Sequence, residues 1–198
     1  MIRDMPKIQA NTLAEHRSMR REALLEAAIS IALESGGDSV TMAEVAKRAG
    51  LSRSSVYEYF ESSADLIADV ILDELDIWAR TLLQAVQSET DPALRIVAWI
   101  DCAFGYISAG QHRLARSLGA VSLPASRVPA VRQAHMRLVQ PLIDALKGAS
   151  VPEPTACAMY VNGAIDAATR RIDAGCDAEL EIATTRVFVL SGIHGLSS

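Results

Sequence analysis

A chain of 198 residues can bury one large core or two unequal ones, and with 50% apolar but only 5% aromatic residues it favours helices packed through small side chains over a strand-rich fold. The formal net charge of -5 excludes a molecule whose whole surface attracts nucleic acid, so any such binding is local. No signal-like N-terminus and no run of roughly 18 apolar residues is present, and Cys102, Cys157 and Cys176 lack disulfide or zinc spacing, which together predict a soluble, cytoplasmic, membrane-free protein with reduced thiols.

Residues 1–16 lack apolar periodicity and contain Pro6, and are expected to form a flexible arm. Over residues 1–25 Arg3, Lys7, Arg17, Arg20 and Arg21 outnumber Asp4, Glu15 and Glu22, a modestly basic stretch. A helix is expected from Arg17, with Leu24, Ala27, Ala28 and Ile31 on one face, ending at Gly36 and Gly37. Thr41 with Glu44 forms a capping box for a short helix through Ala49. Gly50 and Leu51 then make a tight turn, and Ser52 caps the next helix, Arg53 to Phe60. This is the spacing of a helix-turn-helix.

Ser62 and Asp65 repeat the capping logic for a long fourth helix that carries Leu66, Val70, Leu75, Trp78, Leu82 and Val86. Asp91-Pro92 opens a helix to about Gly110, and a short one follows from Gln111 to Leu118. After a loop containing Pro124, a helix from Pro129 to Lys147 holds an internal Pro141, where a kink is expected. Breakers at 151–154 precede two apolar helices, Thr155 to Ala174 and Ala178 to Ser191, parted by Gly175. The expected fold is all-α, with about nine helices. It divides into a three-helix DNA-binding domain over 17–62 and a larger helical domain over 63–198.

Within Thr41–Phe60, TMAEVAKRAGLSRSSVYEYF, Ala43, Val45, Ala46, Ala49, Leu51 and Val56 supply a small core that locks the two helices at a steep angle. The outward residues Arg53, Ser54, Ser55, Tyr57 and Tyr59 are short or rigid and polar, suited to a major groove. Arg53 can bind guanine or a phosphate, and the sequence leaves both open. Thr41 stands at a helix start, where backbone amides favour phosphate oxygens, and Met42, Ser52 and Ser63 are further candidate DNA contacts. Each type also has an ordinary role, since surface arginines are solvated and tyrosines in short helices often pack.

This segment resembles the helix-turn-helix of the tetracycline-repressor (TetR) family: a Thr-initiated helix, an Ala-Gly-Leu-Ser turn and an aromatic-rich recognition helix, in that order. The likeness extends to the preceding REALLEAAISIALESGG and the following DLIADVI, about the first 70 residues. One departure concerns the position three residues after Phe60, where members often carry a phosphate-binding Lys and this chain has Ser63. Backbone contacts then lean on Arg17, Arg20 and Arg21.

The resemblance implies a transcriptional regulator that binds a palindromic operator in double-stranded DNA as a homodimer, a repressor released by a small-molecule inducer, with no cofactor and no metal. It further implies a ligand pocket among the middle helices and a dimer interface on the last two. Candidate pocket residues are Trp99, Cys102, Phe104 and Tyr106, with Met136, Val139, Gln140 and Asn162 behind them. For the interface, Tyr160, Gly163, Ala164, Ala167 and Ala168 offer close approach, and Val187, Leu190 and Ile193 offer apolar bulk. All of these types also fill ordinary helical cores. His112 and His135 have no ligand partner at helical spacing, so satisfied or exposed imidazoles are expected. Two other classes stay open: an enzyme on a helical scaffold, which lacks any phosphate loop, nucleophile elbow or His-carboxylate cluster, and a dimeric interaction protein that no longer binds DNA.

Overall fold

The computed structural model describes residues 9–110, 112–119 and 121–196, and among them every regular element is helical. The helices are α1 (Gln9–Ser35), α2 (Met42–Arg48), α3 (Arg53–Tyr57), α4 (Ser63–Gln87), α5 (Pro92–Ser108), α6 (His112–Leu118), α7 (Val128–Gly148), α8 (Pro154–Asp173) and α9 (Ala178–Leu196), with a 3-10 turn at Gly37–Ser39.

Two boundaries differ from expectation. Residues 9–16 are helical, not an arm, because nothing between Gln9 and Arg17 breaks a helix; the turn shows no apolar period since Ala14 to Arg20 face solvent. The rest of the expected arm, 1–8, lies outside the described residues. At the other end α9 runs past Ser191 to Leu196, because Val189 and Ile193, one turn apart, bury the same face and outweigh the roughly 1 kcal/mol that a helical glycine costs.

The chain divides into two compact units. One comprises the chain to Ile71 together with Arg113–Val128, the other Leu72–His112 with Pro129–Ser198. The cut thus falls inside α4, not at its start, and the segment containing α6 joins the first unit.

In the first unit Leu24, Ala28, Ile31, Val45, Val56, Phe60 and Leu66 make one apolar cluster with Leu114 and Leu118 from α6. The three-four spacing along α1 places its share of that cluster on a single face. α6 also donates from Ser117 Oγ to the carbonyl of Ala32 at 2.6 Å. In the second unit α5 buries Ile96, Ile100, Phe104 and Ile107, and α7 buries Leu138, Leu142 and Leu146. The indole of Trp99 donates to the Leu138 carbonyl at 2.9 Å and pins α5 to α7. Pro141 is accommodated within a continuous α7.

Gly37 is where α6 comes closest to the 3-10 turn. A Cβ there would lie 2.6 Å from the Ser117 carbonyl oxygen and 2.8 Å from Val121 Cγ2. Overpacking of this kind costs about 1–3 kcal/mol, so G37A is expected to lower the urea midpoint without changing the slope of the transition. An unaltered midpoint would mean that the turn gives way freely.

Candidate nucleic-acid interface

Seven residues of α2 and five of α3 are too few to be stable helices alone, so their ends and one face must be held by other groups. The Glu44 amide donates to Thr41 Oγ1 at 3.2 Å, and the Ser55 amide to Ser52 Oγ at 3.1 Å. Between the helices Gly50 adopts φ +67, a left-handed conformation that side chains disfavour, while the Leu51 amide donates to the Ala46 carbonyl at 2.9 Å to close α2. Val45 and Val56, both fully buried, fix the two helices on the common core. The Asp65 amide donates to Ser62 Oγ at 3.1 Å, the expected start of α4.

These constraints turn Ser52, Arg53, Ser54 and Tyr57 outward. Arg53 Nη2 donates to Tyr57 Oη at 3.2 Å, with its guanidinium 5.8 Å from the centre of the ring. This i,i+4 pair presents five-donor and hydroxyl chemistry in one preset cluster. Ser52 Oγ, besides capping, lies 2.8 Å from both the Ser54 and Ser55 hydroxyls. Thr41 is exposed, and Ser55 and Ser63 are half-buried. Half-buried Tyr59 stacks under the guanidinium of Arg17 at 5.6 Å, and Arg17, Arg20, His16 and Glu58 line with it an open groove of about 860 Å³.

Two expected DNA ligands are drawn inward instead. Met42 is only 6% exposed, since the first residue of α2 points its side chain back into the core shared with α1. Arg21 donates to Asp69 Oδ2 at 2.6 Å and covers the Phe60 ring at 5.9 Å, so its charge joins α1 to α4. Arg127 reinforces that joint, with Nε 2.6 Å from Asp65 Oδ1 and Nη2 3.1 Å from Asp69; the bond to Asp65 raises its pKa. Arg48 bridges back to α1, bonding both Glu34 oxygens at 2.6 and 2.7 Å and Ser30 Oγ at 2.7 Å, which raises the arginine pKa and lowers that of the carboxyl. Sequence reasoning missed these partners, because they are 14 to 62 positions apart. It also passed over Lys47, well exposed in the last turn of α2 and paired only loosely with Glu44 at 3.8 Å.

In the second unit the pocket candidates separate. Trp99 and Phe104 are core, and Cys102, Tyr106, Val139 and Asn162 are half-buried, with Asn162 Nδ2 donating to the Ala158 carbonyl. Met136 is exposed and Gln140 bonds Asp144 on the outside of α7, so neither joins an enclosed wall. Of the interface candidates, Tyr160, Gly163, Ala167 and Val187 are exposed, and Ala164 and Leu190 half-buried. Ala168 and Ile193 are buried inside their own subunit and are not free to meet a partner. Met159, Leu180 and Phe188, which no sequence pattern singles out, are exposed on the same two helices. His112 Nε2 lies 3.0 Å from Asp173 and His135 Nδ1 lies 2.9 Å from the Val131 carbonyl; no metal-binding group occurs among the described residues. Among those residues no single helix is long and apolar enough to cross a membrane.

Residues 24–70 match the bacterial regulatory proteins of the tetR family. The HTH-type transcriptional activator FasR of Mycolicibacterium smegmatis is 32% identical over 91 residues, 46% of this chain and 42% of that one. The HTH-type transcriptional regulator BetI of Brucella canis is 32% identical over 111 residues, 56% of this chain and 53% of its own. The chain thus spans about half the length of these relatives. The transcriptional regulator FadR of Bacillus subtilis, in complex with stearoyl-CoA, has the same fold, with a TM-score of 0.71 over 87% of this chain and 99% of that one at 17% identity.

Met42 and Tyr57 distinguish packing from recognition. M42A is expected to lower unfolding free energy by about 2–5 kcal/mol, the usual result of truncating a buried methionine, with duplex affinity of the folded fraction unchanged. Y57A should leave thermal stability nearly intact and weaken duplex binding at least tenfold. Equal effects of the two on both measurements would remove the distinction.

Proposed function

We propose that this chain, whose residues 24–70 match the tetR family of bacterial regulatory proteins, is a dimeric, ligand-responsive transcriptional regulator that represses from a palindromic operator. The observation that carries the reading is the outward Arg53–Tyr57 pair on a helix fixed by its cap and by buried Val56. Arg53 is suited to guanine or a phosphate oxygen, Tyr57 to a phosphate or a thymine methyl, and Arg17, Arg20 and Lys47 to the flanking backbone. The interaction-protein alternative is disfavoured because this surface is free and polar, and because the relatives matched are regulators. For the same reason we read the chain as a regulator and not as an enzyme.

Dimerisation rests on the apolar face of α8 and α9. Tyr160 and Phe188 are more than 70% exposed, and their chain neighbours Met159 and Val187 more than 60%, and large apolar side chains left bare on two helices suit an association surface. Two-fold pairing brings two recognition helices about 34 Å apart, on successive major grooves. Ligand control has three covalent routes to the first unit, because the chain crosses between the units within α4, at the start of α6 and at the start of α7. We propose that a ligand in the second unit favours a dimer whose reading heads no longer match the operator spacing. The coupling is reciprocal, so operator DNA weakens ligand binding by the same factor.

Selection of bound duplexes from a random pool, followed by mobility shifts, tests the reading. A palindrome bound near 10⁻⁸ M or tighter is the expected result, and uniform weak binding to every duplex would refute it. The replacement R17A/R20A should flatten the salt dependence by about 0.9 in log–log slope for each phosphate that the two arginines cease to neutralise. F188E, which puts a charge in the apolar face, is expected to give a monomer by sedimentation that has lost operator binding; a stable dimer would place the interface elsewhere.

A further inference from the structure

α4 and α5 of the second unit meet through two aromatic rings, Trp78 and Tyr106, stacked with centroids 4.3 Å apart and planes 13° from parallel. Glu74 lies one turn before Trp78 on α4, and Cys102 one turn before Tyr106 on α5, so each shares a face with its ring. All four side chains are half-buried. One hydrogen-bonding group among them is unused: the Trp78 indole N–H is inaccessible to water and has no acceptor. A buried donor without a partner is uncommon and calls for an explanation.

Glu74 is the second anomaly. Nearby aspartates are neutralised, Asp76 by Arg80 at 2.9 Å and Arg137 at 3.7 Å, and Asp101 by Arg186 at 2.6 Å. Glu74 has no such counter-ion among the described residues. Burial, and then the charge of Asp73, push its pKa up. Tyr106 feels the same carboxyl: burial, and after it the charge of Glu74, raise its hydroxyl to about 12. An anion brought here would meet an uncompensated acid. A cation would supply the missing partner, and aromatic faces beside a carboxylate add the attraction of their quadrupoles.

We infer that Glu74, Trp78, Tyr106 and Cys102 form a subsite for the charged head of an organic ammonium ligand carrying a flat apolar body. Glu74 takes the ammonium group and the ring pair stacks on the body, and the Trp78 N–H, closed to water in the unliganded chain, gains an acceptor when the rings part to admit the ligand. The inference rests on the ligand-responsive reading above and specifies the ligand class of that domain.

The test compares three compounds of similar shape by calorimetry on the full chain at neutral pH: protonated 2-phenylethylamine, neutral 2-phenylethanol and anionic 3-phenylpropanoate. The amine is expected to bind at least tenfold tighter than either of the others. E74Q should abolish that preference while changing the alcohol's affinity less than twofold, and E179Q, on the exposed start of α9, should change nothing. Equal ranking, preference for the alcohol or the acid, an amine that does not bind at millimolar concentration, or a folded E74Q that keeps the preference each overturns the inference. The ranking on the unaltered protein decides the matter even if E74Q fails to fold. Failure of the regulator reading is separable: loss of all duplex binding would refute that reading and leave the calorimetric ranking standing, whereas operator release by the acid alone would do the reverse.

Discussion

The outward face of α3 depends on a small shared core. α2 and α3 together have twelve helical residues in two pieces, neither able to nucleate and persist in water. They exist because Val45, Ala46 and Val56 are buried against Leu24, Ile31, Phe60 and Leu66, and because Thr41 and Ser52 satisfy amides that the helix starts leave bare. Each fully buried aliphatic side chain of this size contributes about 1.5–3 kcal/mol, and each cap about 1 kcal/mol. The core therefore outweighs any single cap. The angle between the two helices follows from where Val45 and Val56 must meet, and Gly50 makes the connection possible with φ +67.

That core is completed from elsewhere in the chain. Leu114 and Leu118 arrive on α6, after the chain has left for α5 and returned, and Arg127 then ties the next segment to Asp65 and Asp69 at the start of α4. Displacing α6 would strip apolar cover from the first unit, and displacing Arg127 would leave Asp65 and Asp69 without that cation. The packing of α2 and α3 is therefore linked to the placement of α6 and of Arg127, which lie far along the chain from them.

Much of the first unit was legible in the sequence because its signals are local. The Thr41–Glu44 and Ser62–Asp65 spacings, the glycine turn and the periodic face of α1 each act within a few residues. What was not legible depends on distant partners. Met42 reads as a helix-start residue facing DNA until α1 is placed behind it, and Arg21 reads as part of a basic arm until Asp69, 48 positions away, takes its charge. In the second unit Met136 and Gln140 have the composition of a pocket wall, yet the orientation of α7 turns them to solvent. Ala168 and Ile193 have that of an interface and are buried within the subunit. Glu74 and Trp78 escaped notice because an apolar stripe explains Trp78 and an exposed face explains Glu74, until the stacking of Tyr106 brings both to one place.

The partition of charge shows where a chain of net charge -5 keeps the cations that the proposed DNA binding needs. Arg21, Arg48 and Arg127 are held by Asp69, Glu34 and Asp65, so they stiffen the domain and add little to long-range attraction. Arg17, Arg20, Lys47 and Arg53 remain on the surface, none of them in a close ion pair with a carboxylate among the described residues. With so few cations the non-specific, counterion-driven part of binding is small. On the proposed reading, discrimination would rest on the geometry of the Arg53–Tyr57 pair and on its repetition by symmetry, since two half-sites held at a fixed separation add their free energies where a single one would be too weak. Specificity would then come from pairing more than from charge, and the apolar side chains exposed on α8 and α9 would matter to the proposed DNA recognition as much as α3 itself.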